Sequence, residues 1–356
     1  MPAVTNKPAN KPANKPANKP ANKPAANKSR RYRDILFEVK DQVAWITINR
    51  PRILNAFREQ SLDEMIDALK STREDPSIVC AVITGAGDKA FSAGGDFYAM
   101  KRLNFTNAYM WNDRMLGLAM TIRGLPIPVI AMVNGWCMGG GHELALWCDL
   151  VIASENAVLG QTGAKVGACP TVGATQYLPR IIGERLAREM IFCAKRFTAK
   201  EAAEIGLINR CVAQKDLLSE TLKWCETMKG HSALTIRMTK RSLNFESDNL
   251  YSSWQHGMEL LAHVWGSEEA KEGMDAFLAG RKPDFQKFRM RDKKELERYV
   301  QGYESDENAP PSMRGNGKGN GNANGKSEPR RTQRTRSKTE KQSRSTATAR
   351  AAEKAR

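Results

Sequence analysis

The chain has no acidic residue before Asp34, no aromatic residue after Tyr303, and no apolar run approaching a membrane helix, which needs about 18 residues. Its N-terminus has no apolar core of the kind a signal peptide carries, so a cytoplasmic protein is expected. The seven cysteines (Cys80, Cys137, Cys148, Cys169, Cys193, Cys211, Cys225) form no C-x-x-C pair, and most stand in apolar runs. That pattern argues against a disulfide framework and for buried thiols in a reducing compartment. The four histidines (His142, His231, His256, His263) lack the spacing of metal ligands, and no metal is expected. Neither a G-x-x-x-x-G-K-[ST] loop nor a G-x-G-x-x-G turn opening a βαβ unit is present, so nucleotide phosphates are not the expected ligand.

What is present is a formal net charge of +17, unevenly placed. Residues 1–33 hold nine Lys or Arg and no acid, and residues 303–356 hold 13 Lys or Arg against six Asp or Glu. The body between them is close to neutral, so the basic pI belongs to two tails. Residues 7–26 repeat Lys-Pro-Ala-Asn, with proline in every fourth place. Such a run cannot form a helix and has nothing apolar to bury. Residues 1–31 are therefore expected as a disordered arm and 303–356 as a disordered basic tail. The bland role for both is solubility or spacing. The sharper one is weak, salt-dependent binding to a polyanion such as nucleic acid, which would make this a nucleic-acid-associated protein.

The body of about 270 residues is large enough for one substantial core. Alternating patterns predict strands at 35–39 and 43–48, joined as a hairpin through Lys40-Asp41-Gln42. A helix is predicted over 59–73 from the apolar spacing of Leu62, Met65, Ile66 and Leu69, and another over 104–122. Buried strands are predicted at 78–84, 128–133, 148–153 and 157–160. After 183 the pattern reads as helical almost throughout, at 183–194, 198–205, 217–229, 233–245, 250–265 and 268–279. Strands alternating with helices define an α/β fold with a largely parallel sheet. The division expected is an α/β core over 32–230 and a C-terminal helical region of the same fold over 231–302.

Two glycine clusters stand at strand-to-helix turns. They are Phe91-Ser92-Ala93-Gly94-Gly95-Asp96 and Gly135-Trp136-Cys137-Met138-Gly139-Gly140-Gly141-His142-Glu143. Glycine lets backbone approach a ligand closely, and the free N–H groups at a helix start point outward. Two such turns on neighbouring strands could aim two N–H groups at one carbonyl oxygen, as an oxyanion hole does. Either cluster alone would more often be structural.

In order, the chain also carries Asn49-Arg50-Pro51, Asn55-Ala56, Cys148-Asp149, Gly160-Gln161, Gly173-Ala174-Thr175-Gln176-Tyr177-Leu178-Pro179-Arg180 and Gly206-Leu207-Ile208-Asn209. With the two glycine clusters, this series resembles the crotonase, or enoyl-CoA hydratase/isomerase, superfamily over roughly residues 32–290. The resemblance implies a crotonase-like spiral of ββα units with a C-terminal helical region, assembled as a homotrimer or homohexamer. It implies an acyl-CoA thioester as substrate, with coenzyme A entering as part of that substrate and no permanently bound cofactor. It assigns the oxyanion hole to the N–H groups of Gly95 and Gly140, flanked by Ser92, Ala93, Gly94 and Gly139. It places Arg52, Leu54, Ala56 and Lys89 where the family contacts the CoA moiety.

Hydratases of the family use two acids. Glu143 matches the first, and Gly163 stands where the second would be. The run from Leu159 through Gln161 and Gly163 to Gly167 resembles the branch that contains 1,4-dihydroxy-2-naphthoyl-CoA synthase and 2-ketocyclohexanecarboxyl-CoA hydrolase. That branch implies a substrate contact near Tyr98 or Tyr109, and a CoA contact, often from a neighbouring subunit, at Arg281 and Lys282. The chain departs from it as well. Pro170 stands at an acid of the hydrolase, Ile191 at a tryptophan of the synthase, Trp265 lies near a C-terminal tyrosine of the synthase, and Glu143 is an acid those relatives usually lack.

Adding water across a double bond wants one group to hold water and another to move the α-proton. With Gly163 in place of the second acid, the leading expectation is hydrolytic carbon–carbon cleavage, the ring opening of an alicyclic β-oxoacyl-CoA with Glu143 activating water. A 2-enoyl-CoA hydratase or isomerase, and ring closure of the naphthoyl-CoA synthase type, are the enzymatic alternatives. Asp96 is expected as a helix cap, and His142 and Asp149 as structural.

Overall fold

The computed structural model describes residues 32–305, so both basic arms lie outside the described residues, except that the last helix runs to Ser305, into the segment expected as tail. The chain divides into two units, 1–290 and 291–356. The first carries both sheets and every site residue. The described part of the second is the C-terminal end of that last helix.

Two sheets organise the first unit. The larger contains β1 (Ile35–Lys40), β2 (Val43–Ile48), β3 (Cys80–Gly85), β5 (Val129–Val133), β7 (Leu150–Ser154) and β10 (Arg210–Val212), in the order β1-β2-β3-β5-β7-β10. The hairpin β1–β2 is antiparallel, with Ile35 opposite Ile48, and its turn residues Asp41 and Gln42 adopt positive φ. The remaining neighbours run parallel. The smaller sheet orders β4 (Ala90–Ser92), β6 (Trp136–Met138), β8 (Val158–Gly160) and β9 (Arg196–Thr198), with only the β8–β9 pair antiparallel.

The two sheets share a repeat. Each of β3, β5 and β7 lies in the large sheet and is followed at once by β4, β6 or β8 in the small one. The chain then leaves the small sheet for α2 (Phe97–Met100) and α3 (Ala108–Gly124), for α4 (Gly140–Trp147), or for the loop before α5 (Ala174–Ile181). The ββα spiral implied by the sequence is present. The glycine clusters, however, do not follow the 78–84 and 128–133 strands directly, as expected. A three-residue strand of the second sheet intervenes each time, too short for alternation to show.

The helix α1 (Glu59–Glu74) buries Leu62, Met65, Ala68, Leu69 and Thr72, one stripe at helical spacing, and packs on α3 and on the hairpin. The all-buried β3 fits a parallel strand covered on both faces. The 183–194 helix is α6 (Gly183–Phe192). The six helices expected after 183 are all present, and the short strands β9 and β10 fill the gaps on either side of α7 (Ala199–Glu204). Beyond these come α8 (Leu217–Lys229), α9 (Ala233–Asp248), α10 (Tyr251–Val264), α11 (Glu268–Leu278) and α12 (Gln286–Ser305), the last not anticipated. Buried Lys240 on α9 ties this region to the core. Its Nζ donates to Asp149 Oδ2 at 2.7 Å and to the carbonyls of Ile122 and Ile127, while Asp149 also accepts the Val129 N–H. Asp149 is thus structural, as expected. The thiols are less uniformly buried than expected: Cys80, Cys137 and Cys225 are interior, but Cys193 is exposed.

Candidate active site

The β4, β6 and β8 strands are adjacent and parallel, so the residues that leave their C-terminal ends meet in one place. After β4 come Gly94 and Gly95, after β6 Gly139 and Gly140, and after β8 Gln161 and Gly163. The segment 54–57 runs alongside 93–96: Ala93 N–H donates to Leu54 O, Phe57 N–H to Gly94 O, and Asp96 N–H to Phe57 O, all at 2.8–2.9 Å. In such a parallel bridge the residue between the two bonds turns its own N–H the other way. The Gly95 N–H therefore points away from the segment 54–57, and Gly95 itself lines the cavity described below. Gly140 opens α4, and a helix cannot satisfy its first N–H groups internally.

Glycine is obligatory here for contact reasons. A Cβ on Gly94, whose φ is +94°, would sit 2.9 Å from the Gly140 nitrogen, and a Cβ on Gly140 would sit 2.9 Å from the Phe57 ring. Ser92 fixes the first turn, donating to Asn55 O at 2.8 Å and accepting the Gly94 N–H at 3.1 Å. Asp96 caps α2 by accepting the Tyr98 N–H and is paired with Arg50 at 2.9 Å.

These turns open on a cavity of about 60 Å³. Its walls are largely apolar, with Phe57, Met100, Trp111, Met115, Leu261 and Trp265 among them, and Glu143 and Gln161 bring polar groups to it. Glu143 is 5% exposed. Its Oε1 accepts the Val172 N–H at 2.9 Å. Val172 is held in turn by its carbonyl, which accepts from Trp147 Nε1 at 2.9 Å. Burial pushes the Glu143 carboxyl up to about 8, against the lowering effect of the Val172 and Ala174 N–H groups. Glu143 is thus largely protonated at neutral pH and ionises in a mildly alkaline range suited to proton transfer.

His142 is buried and faces Gln161 Nε2 through Nδ1 at 3.2 Å, and burial pushes it down to about 4, so it stays neutral. Gln161 Nε2 also reaches the Gly139 carbonyl at 3.3 Å. Burial lifts the Cys169 thiol, also on the cavity wall, above its usual range, so it is no thiolate nucleophile.

Gly163 lines the same cavity, and a side chain cannot stand there. Its Cβ would lie 2.4 Å from the Ala168 carbonyl oxygen. The loop is folded into the space a second acid would need. Beyond it, Gly167 packs against Ala270 of α11 and would clash there with any Cβ.

A second cavity, of about 280 Å³, gathers Arg52, Leu54 and Lys89 with Pro51, Asn55 and Gly87. Leu54 and Asn55 both have positive φ, and Asn55 Nδ2 holds the bend by donating to Ala86 O and Ala90 O. Ala56 is buried beside this cavity, its carbonyl accepting from Arg50 Nη1 at 2.7 Å. Three of the four residues expected at the CoA moiety thus share one cleft, and two of the three, Arg52 and Lys89, are cationic.

Other expected contacts are not brought together. Tyr98 and Tyr109 are 66% and 61% exposed and line neither cavity. Arg281 is engaged by Glu272 in a two-pronged pair at 2.6 and 3.1 Å, and that pairing, with Lys287 and the Asp284 N–H, holds the Glu272 carboxyl down at about 2. Neither Arg281 nor Lys282 lines either of these two cavities. Sequence reading had not picked out Phe57, Met100, Trp111, Met115, Leu261 or Cys169, whose apolar spacing marks only core. Among the described residues, no group of three or more His, Cys, Asp or Glu side chains comes together to hold a metal ion, and no helix is long and apolar enough to cross a membrane.

A family model described as enoyl-CoA hydratase/isomerase matches residues 38–289. The chain belongs to this family, the crotonase superfamily, and is an acyl-CoA enzyme of it. Among solved structures, it is similar to an enoyl-CoA hydratase from Mycobacterium avium subsp. paratuberculosis K-10, at 28% identity and a TM-score of 0.66, over 72% of this chain and 99% of that one. An enoyl-CoA hydratase from Bacillus anthracis is 31% identical with a TM-score of 0.59, over 71% and 99%. An enoyl-CoA hydratase/isomerase from Xanthobacter autotrophicus Py2 is 30% identical with a TM-score of 0.65, over 70% and 98%.

Proposed function

We propose that this enzyme opens the ring of an alicyclic β-oxoacyl-CoA by hydrolytic carbon–carbon cleavage. The observation that carries the reading is one carboxyl on the cavity wall, Glu143, with the place of a second acid closed at Gly163. Hydration of an enoyl ester wants two groups, but ring opening needs one proton carrier. Ionised Glu143 takes a proton from water as the water oxygen attacks the ring ketone carbon. The tetrahedral alkoxide collapses, the bond from the former ketone carbon to the α-carbon breaks, and its electron pair passes onto the thioester. The resulting enolate oxygen rests between the N–H groups of Gly95 and Gly140, each donor contributing about 3 kcal/mol to the barrier. Glu143 returns the same proton to the α-carbon. The product is an open-chain dicarboxylic mono-CoA ester, and the sum is substrate plus one water, with no cofactor beyond the CoA of the substrate.

The cationic cleft of Arg52 and Lys89 suits the phosphates of CoA. Assembly as a homotrimer or homohexamer would cover Leu234, Met238, Leu243 and Phe245, apolar side chains exposed on α9. The test is Glu143→Gln. Turnover should fall by about 10²- to 10⁴-fold, while the dissociation constant for a CoA ester stays within a few-fold. Undiminished turnover would remove Glu143 from the chemistry.

The family relationship supports a second reading, a 2-enoyl-CoA hydratase or isomerase working with Glu143 alone. Ring closure of the naphthoyl-CoA synthase type is a third, resting on the Leu159–Gly167 run.

A further inference from the structure

Two residues on the wall of the acyl cavity keep a buried polar atom with no partner among the described residues: Gln161 through Oε1 and Trp265 through Nε1. Gln161 offers an acceptor, since its Nε2 is the end that meets the Gly139 carbonyl, and a carbonyl can only accept. Trp265 offers a donor and nothing else. It follows the last turn of α10, its backbone N–H donates to Leu261 O at 3.1 Å, and the residue is 3% exposed. The other unpartnered buried atoms, on Asn112, His142, Tyr177 and Gln214, belong to residues that do not line this cavity. A buried indole N–H without an acceptor costs the fold free energy and calls for an explanation. On a residue that lines a cavity, a ligand is the natural source of that acceptor.

We propose that Trp265 Nε1–H donates a hydrogen bond to a second oxygen of the acyl group, distinct from the thioester oxygen that Gly95 and Gly140 hold. The identification of that oxygen as the ring ketone rests on the ring-opening reading. Ring opening develops negative charge on two oxygens in turn, first on the attacked ketone and then on the thioester enolate. The glycine pair serves the second, and Trp265 supplies the first with a donor. It makes the enzyme selective for acyl groups that carry an oxygen acceptor over plain alkyl or alicyclic ones.

The experiment measures binding of 2-oxocyclohexanecarboxyl-CoA and cyclohexanecarboxyl-CoA to the full chain carrying Glu143→Gln, so that neither ester is consumed. One hydrogen bond of this kind should favour the oxygenated ester about tenfold. Adding Trp265→Phe should abolish the preference and leave affinity for the plain ester within a few-fold. Equal binding of the two esters with Trp265 intact would overturn the proposal, as would a preference that survives Trp265→Phe. Should Trp265→Phe fail to fold, the infrared band of a carbon-13-labelled ketone bound to the protein with Trp265 decides. A fall in its stretching frequency on binding supports the proposal, and an unmoved band overturns it. Ring opening is scored separately, by mass. Ring opening without the preference removes Trp265 alone. The preference and its loss in Trp265→Phe without ring opening remove the reaction and keep Trp265 as a donor to an acyl oxygen.

Discussion

Replacing Glu143 by Gln should change the pH dependence of stability in a defined way. In the folded protein, burial raises this carboxyl from 4.5 to about 8. A raised folded-state value means that the protonated form is the one the fold tolerates. The wild type therefore has its full stability from this group below about pH 4.5 and loses it as pH rises through about 8. Each pH unit in that window costs about 1.4 kcal/mol, so a shift of roughly 3.5 units bounds the loss at about 5 kcal/mol. Gln is isosteric, stays neutral, and can still accept the Val172 N–H through its carbonyl. The variant should match the wild type near pH 4.5, gain on it through neutral pH, and be several kcal/mol more stable above pH 8. Urea unfolding of both proteins at matched concentration from pH 5 to 9 reads the difference directly, because all other titrating groups are shared. A constant offset across that range would refute the argument and with it the buried, protonated state assigned to Glu143.

The same group should shape the rate. Because the ionised form takes the proton from water, kcat/KM for ring opening should rise with pH to a plateau above about 8, and a profile that falls through that region would assign Glu143 the acid role instead. Gly140→Ala should drive its Cβ into the Phe57 ring and lower kcat by about 10²-fold or more, with circular dichroism unchanged. Gly163→Glu should not install hydratase activity, because its Cβ meets the Ala168 carbonyl; a loss of about 1–3 kcal/mol in unfolding free energy is expected instead. Lys240→Met removes the ion pair to Asp149, whose carboxylate is partly exposed and keeps the Val129 N–H, and should cost about 1–2 kcal/mol in a denaturant titration. If the basic arms bind polyanions, removing residues 1–31 and 303–356 should abolish salt-dependent retention on an anionic polymer.

Much of this was legible in the sequence where periodicity or punctuation is strong. The hairpin at Asp41-Gln42, the apolar stripe of α1 and the all-apolar β3 state their structures locally. The glycine pairs could be placed at turns because few other residues tolerate such approach. Of the second sheet only β8 was legible. Its strands β4, β6 and β9 have three residues each, and their pairing depends on contacts far along the chain. The helix α5 was masked by Pro179, which sits within it. Gly163 could be recognised as a missing acid, but only the fold shows that the Ala168 carbonyl closes the space. The cavity wall was hidden for a different reason. Phe57, Trp111 and Leu261 come from three distant elements, and nothing in their own segments separates a wall residue from a core one. Arg281 was expected as a CoA contact, and its pairing with Glu272, nine residues earlier on α11, has no signature in either segment.

The most direct test of the central claim is mass spectrometry of the purified full chain incubated in parallel with 2-oxocyclohexanecarboxyl-CoA and crotonyl-CoA. The account predicts that the first thioester gains one water to give pimeloyl-CoA, while crotonyl-CoA is left unchanged. A gain of water on crotonyl-CoA alone would contradict it. That result would mean a hydratase that manages with Glu143 as its one acid.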